Sequence, residues 1–240
     1  MPLVKKEEIA RRQMVLFFVI DCSGSMAGKK IGSVNESIEN VLPELISIEN
    51  SNSDAKIKIA ALEFATGVNW LYDDPKPVNE FIWQPAQTEV LTSLGLACSE
   101  LESKLHQTHG GFMSSGSQSY APVFILLSDG APTDNFEEGL AKLKANAWFN
   151  AGIKAAIAIG EDARVDILQR FTGNSESVVT VHNLAALKTM INFIVVSSTT
   201  VGSSSHSVTG TDKQGEVGSQ IAAAAAETPG VNDNTQDIWD

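Results

Sequence analysis

Two hydrophobic patterns alternate along the chain. Met14–Ile20 is a continuous apolar run rich in β-formers, too short for a helix, and it ends at Asp21. Such a run fits a strand buried on both faces of a parallel sheet. From Lys29 to Glu49 the apolar residues recur at Ile31, Val34, Ile38, Val41, Leu42, Leu45, Ile46 and Ile48. That is helical spacing, with Pro43 expected to bend the helix or mark its last turns. A strand over Lys56–Phe64 follows, and the Thr66-Gly67 turn predicts a shorter antiparallel strand, Val68–Tyr72. Thr92–His106 carries the apolar stripe of a helix, and residues 110–119 read as a Gly/Ser-rich surface loop. The run Pro122-Val-Phe-Ile-Leu-Leu-Ser-Asp129-Gly130 repeats the theme, a buried strand ending in an acid. After it come a helix over about 134–150, a strand Ile153–Ile159 and a short helix near Val165–Phe171. A strand Val178–Val181 and a helix from Asn183 to about Val196 complete the series. Strands alternating with helices predict an α/β fold: a doubly wound, mostly parallel sheet with one antiparallel edge strand and helices on both faces.

This pattern occupies residues 14–196 as one domain, behind a polar lead-in at 1–13. Residues 197–240 change character, with SSTTVGSSSHS, a run of alanines and the acidic end DNTQDIWD. Few large apolar residues there predict a disordered, acidic, low-complexity tail. Within it, Asp237-Ile-Trp-Asp240 has the makeup of a docking peptide, an aromatic anchor with a charged rim, and is a candidate for self-association.

Composition narrows the partners. The net charge is −12, a poor match for a nucleic-acid backbone or an anionic membrane face. Cys22 and Cys98 cannot build a multi-bridge framework, and the longest early apolar run is too short to span a membrane. A cytoplasmic protein is therefore expected, with no nucleic-acid and no membrane partner.

Candidate chemistry gathers where strands end, since ligands of open α/β sheets bind beyond the carboxyl ends of the strands. Asp21 is followed by Ser23 and Ser25, and on a tight turn alternate residues point the same way, leaving Cys22 facing away. If the strands ending at Asp21 and Asp129 are both central, two carboxylates and two hydroxyls meet at one edge. That all-oxygen set suits Mg²⁺ or Mn²⁺.

These residues resemble the von Willebrand factor A domain family: Asp21-x-Ser23-x-Ser25 after a first buried strand, Thr92-Ser-Leu-Gly-Leu-Ala at a helix start, and Ser128-Asp129-Gly130 after a later strand. The resemblance covers about residues 14–196 and implies a Rossmann-like fold with a metal-ion-dependent adhesion site. It implies Asp21, Ser23, Ser25, Thr92 and Asp129 as the metal set. The serines and threonine would touch a Mg²⁺ or Mn²⁺ ion, the acids would act through water, and a partner's Asp or Glu would fill the open position. Where the family commonly has Gly-Gly before the threonine, this chain has Val90-Leu91, and Thr88 is the alternative ligand. Arg11-Arg12, Asp21-Cys-Ser-Gly-Ser-Met-Ala-Gly and Ser128-Asp-Gly-Ala-Pro-Thr-Asp look most like the small cytoplasmic bacterial proteins of the TerY type, associated with tellurite resistance. That similarity implies a stress-signalling role with kinase or phosphatase partners.

Other readings compete. Ser25 and Thr92 are also ordinary helix caps, and Asp129-Gly130 an ordinary turn. Gly24–Lys30 has only three residues between its glycines and no hydroxyl after Lys29, so it is not a phosphate-binding loop. A metal-dependent hydrolase or phosphatase could use the same Asp/Ser cluster. It would need a base or nucleophile, and His106, His109, His182 and His206 are scattered. A non-enzymatic module that binds a partner's acidic side chain through the metal is the expectation.

Overall fold

The computed structural model describes residues 11–108, 110–114, 118–204, 212–233 and 239. Among them one sheet contains β1 (Arg12–Asp21), β2 (Ala55–Phe64), β3 (Val68–Trp70), β4 (Lys76–Pro77), β5 (Val123–Ser128), β6 (Ile153–Ile159) and β7 (Val178–Val181). The strand order is β3-β2-β1-β5-β6-β7, with β4 also paired to β2. The pairs β1–β2, β1–β5, β5–β6 and β6–β7 are parallel. The antiparallel edge is two short strands, β3 and β4, where the sequence predicts one. Strand order reverses between β1 and β5, so the chain winds outward in both directions and opens a crevice at their carboxyl ends.

The alternation of β1 sorts the helices into two layers. Met14, Leu16, Phe18 and Ile20 pack with α1 (Lys29–Ser51), α6 (Leu184–Ser203) and α7 (Lys213–Glu227). Val15, Phe17 and Val19 pack with α2 (Leu94–Lys104), α3 (Phe136–Ala145), α4 (Ala147–Ala151) and α5 (Val165–Thr172). Phe17 stacks on Phe124 at 5.0 Å in the second layer. Both faces of the sheet are covered, which is why its central strands read as unbroken apolar runs.

Some boundaries depart from the sequence pattern for local reasons. The strand β1 takes in Arg12 and Gln13, and Arg11 Nη2 donates to the Glu49 and Asn52 carbonyls at the end of α1, so part of the expected lead-in is structure. Residues 1–10 lie outside the described residues. Helix α1 continues past Pro43 to Ser51, because Val41 and Leu45 are buried on either side and outweigh one missing N–H. The helix expected over 134–150 is two helices. Asn146 breaks it, and its side chain accepts from Trp148 N at 2.9 Å to start α4. Within the Gly/Ser-rich loop, Phe112 and Met113 are buried against the second layer.

The largest correction to the expected tail concerns residues 197–204 and 212–233; residues 205–211, 234–238 and 240 lie outside the described residues. Helix α6 runs through the polar stretch to Ser203, where hydroxyls bond back along the helix, as Ser197 Oγ does to Phe193 O at 2.7 Å. Its mean hydropathy of 1.5 and its length are enough to cross a membrane, but half of that window is buried inside the domain. Met190, Ile191, Ile194 and Val195 are fully buried. Helix α7 then buries Val217, Ile221 and Ala225 on the first layer. Gln214 acts as a surrogate strand residue, its Oε1 accepting from Lys154 N (2.7 Å) and its Nε2 donating to Lys154 O (2.9 Å). Beyond α7, His182 N donates to Gly230 O and Asn232 N to Thr180 O, covering the free edge of β7. Alanine-rich composition hides this role, because only three apolar side chains per face are needed to seat a helix on a finished core.

Ile221→Ala should therefore lower unfolding free energy by about 2–4 kcal/mol, read by urea denaturation. Unchanged stability, or early cleavage within 213–227 by limited proteolysis, would show the helix is not part of the folded unit.

Candidate metal centre

The register of the central strands assembles the site. Ile20 lies opposite Leu127, so the next residues of β1 and β5, Asp21 and Ser128, emerge side by side. Ser128 Oγ donates to Asp21 Oδ2 at 2.6 Å, and Ser23 N donates to Asp21 Oδ1 at 2.8 Å. The Asp21 carboxylate is fully buried. Burial pushes it above the ordinary carboxylate range, with nearby Asp129 adding to the push and the Ser128 and Ser23 bonds opposing it.

After Asp21 the chain makes a single 3₁₀ turn, Gly24–Met26, then enters α1 at Gly28, whose φ of 78° only glycine adopts freely. The turn brings buried Ser23 and exposed Ser25 together at the strand ends, with their Oγ atoms 3.1 Å apart. Cys22 faces the core instead, as the turn geometry predicts, and burial raises its thiol pKa. Ser25 Oγ donates to Asp129 Oδ1 at 2.6 Å, and Lys30 Nζ donates to Asp129 Oδ2 at 2.6 Å. The Trp239 ring lies 5.3 Å from Lys30 Nζ, while Asp237, Ile238 and Asp240 lie outside the described residues.

The second loop is held from three sides. Glu89 N donates to Cys22 O, Ser93 N to Ala65 O, and Thr133 N to Thr92 O. Thr92 is held through its backbone, which also accepts from and donates to Thr133 Oγ1, and this leaves its hydroxyl to the site. Asp134 takes the first free N–H groups of α2, from Gly95 (2.9 Å) and Leu96 (2.8 Å), tying the third loop to the second. Close approach of α2 and α3 completes the clamp. A Cβ on Gly139 would stand 2.0 Å from Gly95 O.

These constraints bring the predicted residues to one point. A Cβ added at Gly130 would lie 3.6 Å from Ser25 Oγ, 3.6 Å from Thr92 Oγ1 and 3.8 Å from Asp21 Oδ2. Thr92, rather than the alternative Thr88, contributes the hydroxyl there. Neither Ser25 nor Thr92 caps a helix: Gly28 precedes α1 and Ser93 precedes α2, and the first N–H groups of α2 go to Asp134 instead. The capping reading is thereby corrected. Among the described residues no group of three or more His, Cys, Asp or Glu could hold a metal. The donor set is instead hydroxyl-rich, two acids and three alcohols, and this chemistry fits a hard cation. The residues present fit.

Ser128, Lys30 and Asp134 have structural roles here that the sequence reading missed. Ser128 was visible in the Ser-Asp-Gly motif, and Lys30 in the rejected phosphate-loop segment, where it bonds an acid instead. Among the described histidines, His106 Nε2 lies 3.0 Å from Glu102 Oε1 and His182 N bonds Gly230 O; His109 and His206 lie outside the described residues.

A family model described as the von Willebrand factor type A domain matches residues 16–193. Among solved structures, the chain is similar to proximal thread matrix protein 1 from the mussel byssus with a zinc-occupied MIDAS motif (16% identity, TM-score 0.60, 80% of this chain, 49% of that one). It is also similar to a von Willebrand factor type A protein from Catenulispora acidiphila (15%, 0.56, 78% and 43%). A third is the ArnB paralog VWA2 from Sulfolobus acidocaldarius (17%, 0.56, 77% and 45%). These likenesses concern the fold, and the chain spans less than half the length of each of these structures. No curated protein matches.

The site has a built-in counter-charge. The side chains of Lys30 and Asp129 are 20% and 1% exposed, so removing the ammonium strands a buried carboxylate. Lys30→Met should cost about 1–3 kcal/mol in chelator, less than a fully dry pair because the ammonium touches water. Saturating Mg²⁺ should recover most of that loss. Equal urea midpoints for Lys30→Met and the parent in EDTA would show that Asp129 does not depend on a cation.

Proposed function

The chain belongs to the von Willebrand factor type A family, and from that membership and the loop geometry we propose that it is a metal-ion-dependent protein-interaction module rather than an enzyme. Ser23, Ser25 and Thr92 hold a Mg²⁺ or Mn²⁺ ion, and Asp21 and Asp129 balance its charge and orient bound water. When bound, the ion supplies a localised positive charge able to take a partner's Asp or Glu carboxylate. The observation that carries this reading is the convergence of the Ser25, Thr92 and Asp21 oxygens at Gly130. All-oxygen donors favour a hard ion, and the mussel protein with zinc at its own motif is reason to include Zn²⁺ in any titration.

The finer reading rests on sequence resemblance. The arginine pair before β1 and the motifs around Asp21 and Asp129 resemble the TerY type, which suggests a cytoplasmic stress-response or tellurite-resistance setting with a kinase or phosphatase partner. The C-terminal residues Asp237–Asp240 are a further candidate for self-association, since their acids flank two large apolar side chains.

Calorimetric titration of chelator-treated protein with Mg²⁺, Mn²⁺ and Zn²⁺ tests the core of this reading. A single saturable site is expected, weakened roughly tenfold or more in Ser23→Ala/Ser25→Ala with unfolding unchanged. Absence of saturable binding in the parent protein would remove the proposal.

A further inference from the structure

Trp239 packs back on the domain beside the metal loops. Its indole is half-buried against the first layer of the core, and Lys30 Nζ lies over its ring at 5.3 Å from the centroid. Lys30 stands on the first turn of α1, and the same ammonium donates to Asp129 Oδ2 at 2.6 Å. One cation thus joins the ring of residue 239 to a carboxylate of the site.

Two effects oppose each other in the Trp239 contact. Packing favours it, and so does the attraction of the ammonium to the ring face. Against it, Trp239 Nε1 is buried with no hydrogen-bond partner, a cost that water relieves once the ring moves away. A contact balanced in this way shifts with a small change in nearby charge.

Asp129 is where such a change occurs. Ser25 Oγ donates to Asp129 Oδ1, and Lys30 takes Oδ2. A carboxylate carrying one negative charge is shared poorly between an ammonium and a divalent ion, because the two cations repel and each weakens what the other gains. Lys30 is therefore a resident counter-ion whose place bears directly on any second cation among these oxygens.

We infer that Lys30 competes with the metal ion for Asp129 and that Trp239 holds Lys30 in the competing position, so that residue 239 sets how tightly the site takes a cation. The inference rests on the cation-binding reading of the site. Coupling of this kind is reciprocal: if Trp239 lowers the affinity for the cation, the cation loosens Trp239 by the same factor.

The test uses the full chain and the variants Trp239→Ala, Trp239→Phe, Lys30→Met and Lys30→Met/Trp239→Ala, with urea midpoints checking that each is folded. Mg²⁺ is titrated by calorimetry at constant ionic strength. Trp239→Ala should bind Mg²⁺ about two- to fivefold more tightly than the parent, and Lys30→Met about tenfold or more. Trp239→Phe keeps an aromatic ring and should stay nearer the parent. In the Lys30→Met background, loss of the ring should add nothing, since no ammonium is left to hold. The reciprocal effect is read by acrylamide quenching. The difference between parent and Trp239→Phe emission isolates residue 239, and its quenching should rise on adding Mg²⁺.

Equal Mg²⁺ affinity in the parent and Trp239→Ala, with the parent site saturable, would overturn the inference and leave the cation reading intact. The same gain from Trp239→Ala with and without Lys30 would show that the ring acts on the site directly and would overturn the role of Lys30. Weaker Mg²⁺ binding by Lys30→Met would overturn the competition. No saturable binding by the parent would remove the cation reading and this inference with it. A Trp239 effect that grows with protein concentration would assign the ring to a second copy of the chain and overturn the intramolecular contact.

Discussion

The 2.6 Å bond from Ser128 Oγ to Asp21 Oδ2 joins the two central strands at their carboxyl ends, and the functional edge depends on it. It exists because β1 and β5 are paired in parallel with Ile20 opposite Leu127. A slip of one residue would turn Asp21 to the other face of the sheet and separate it from Ser128. Other loop contacts build outward from this edge. Ser23 is placed by bonding the same carboxylate, Ser25 by bonding Asp129 one residue after Ser128, and the Thr92 loop by bonding the backbone on both sides.

That arrangement concentrates negative charge where the dielectric is low. Asp21 is buried, raised in pKa by that burial, and further disfavoured by Asp129. Both acids are nonetheless bonded, Asp21 by Ser128 and Ser23, and Asp129 by Ser25 and Lys30. Lys30 answers half of the problem by standing on Asp129 from α1, and its ammonium is the only positive group bonded to either acid among the described residues. Asp21 receives neutral donors only, from Ser128 and Ser23. The donor chemistry, two acids and three hydroxyls, is of the kind that suits a small hard cation, as proposed above.

Much of this was legible in the sequence because its physical signals are strong. Apolar runs such as Met14–Ile20 and Val123–Ser128 can only be doubly buried strands, and the acid closing each must emerge at the sheet edge. Strand ends thus bring Asp21, Ser23, Ser25 and Asp129 together, whereas Thr92 follows only from the family resemblance, with Thr88 as the alternative. What escaped were contacts that leave no periodic trace. Gln214 pairing with the backbone of Lys154 is one bidentate amide, and Asp134 on the start of α2 is a tertiary bond spanning 39 residues. Helix α7 was read as disorder because alanine carries little hydrophobic signal. Its stability comes from three buried side chains on a preformed surface, which composition alone does not register.

The mis-read tail also explains why one edge of the molecule stands out. Helix α6 would present a membrane-like apolar surface if bare, and β7 would present an open strand edge; α7 and residues 230–232 add cover to both. With those surfaces sealed, the uncovered large apolar groups among the described residues are Ile82 and the three beside Thr92. Packing has thus done two things with one chain: it has closed the faces where indiscriminate association would start, and it has left exposed apolar area next to the buried acids.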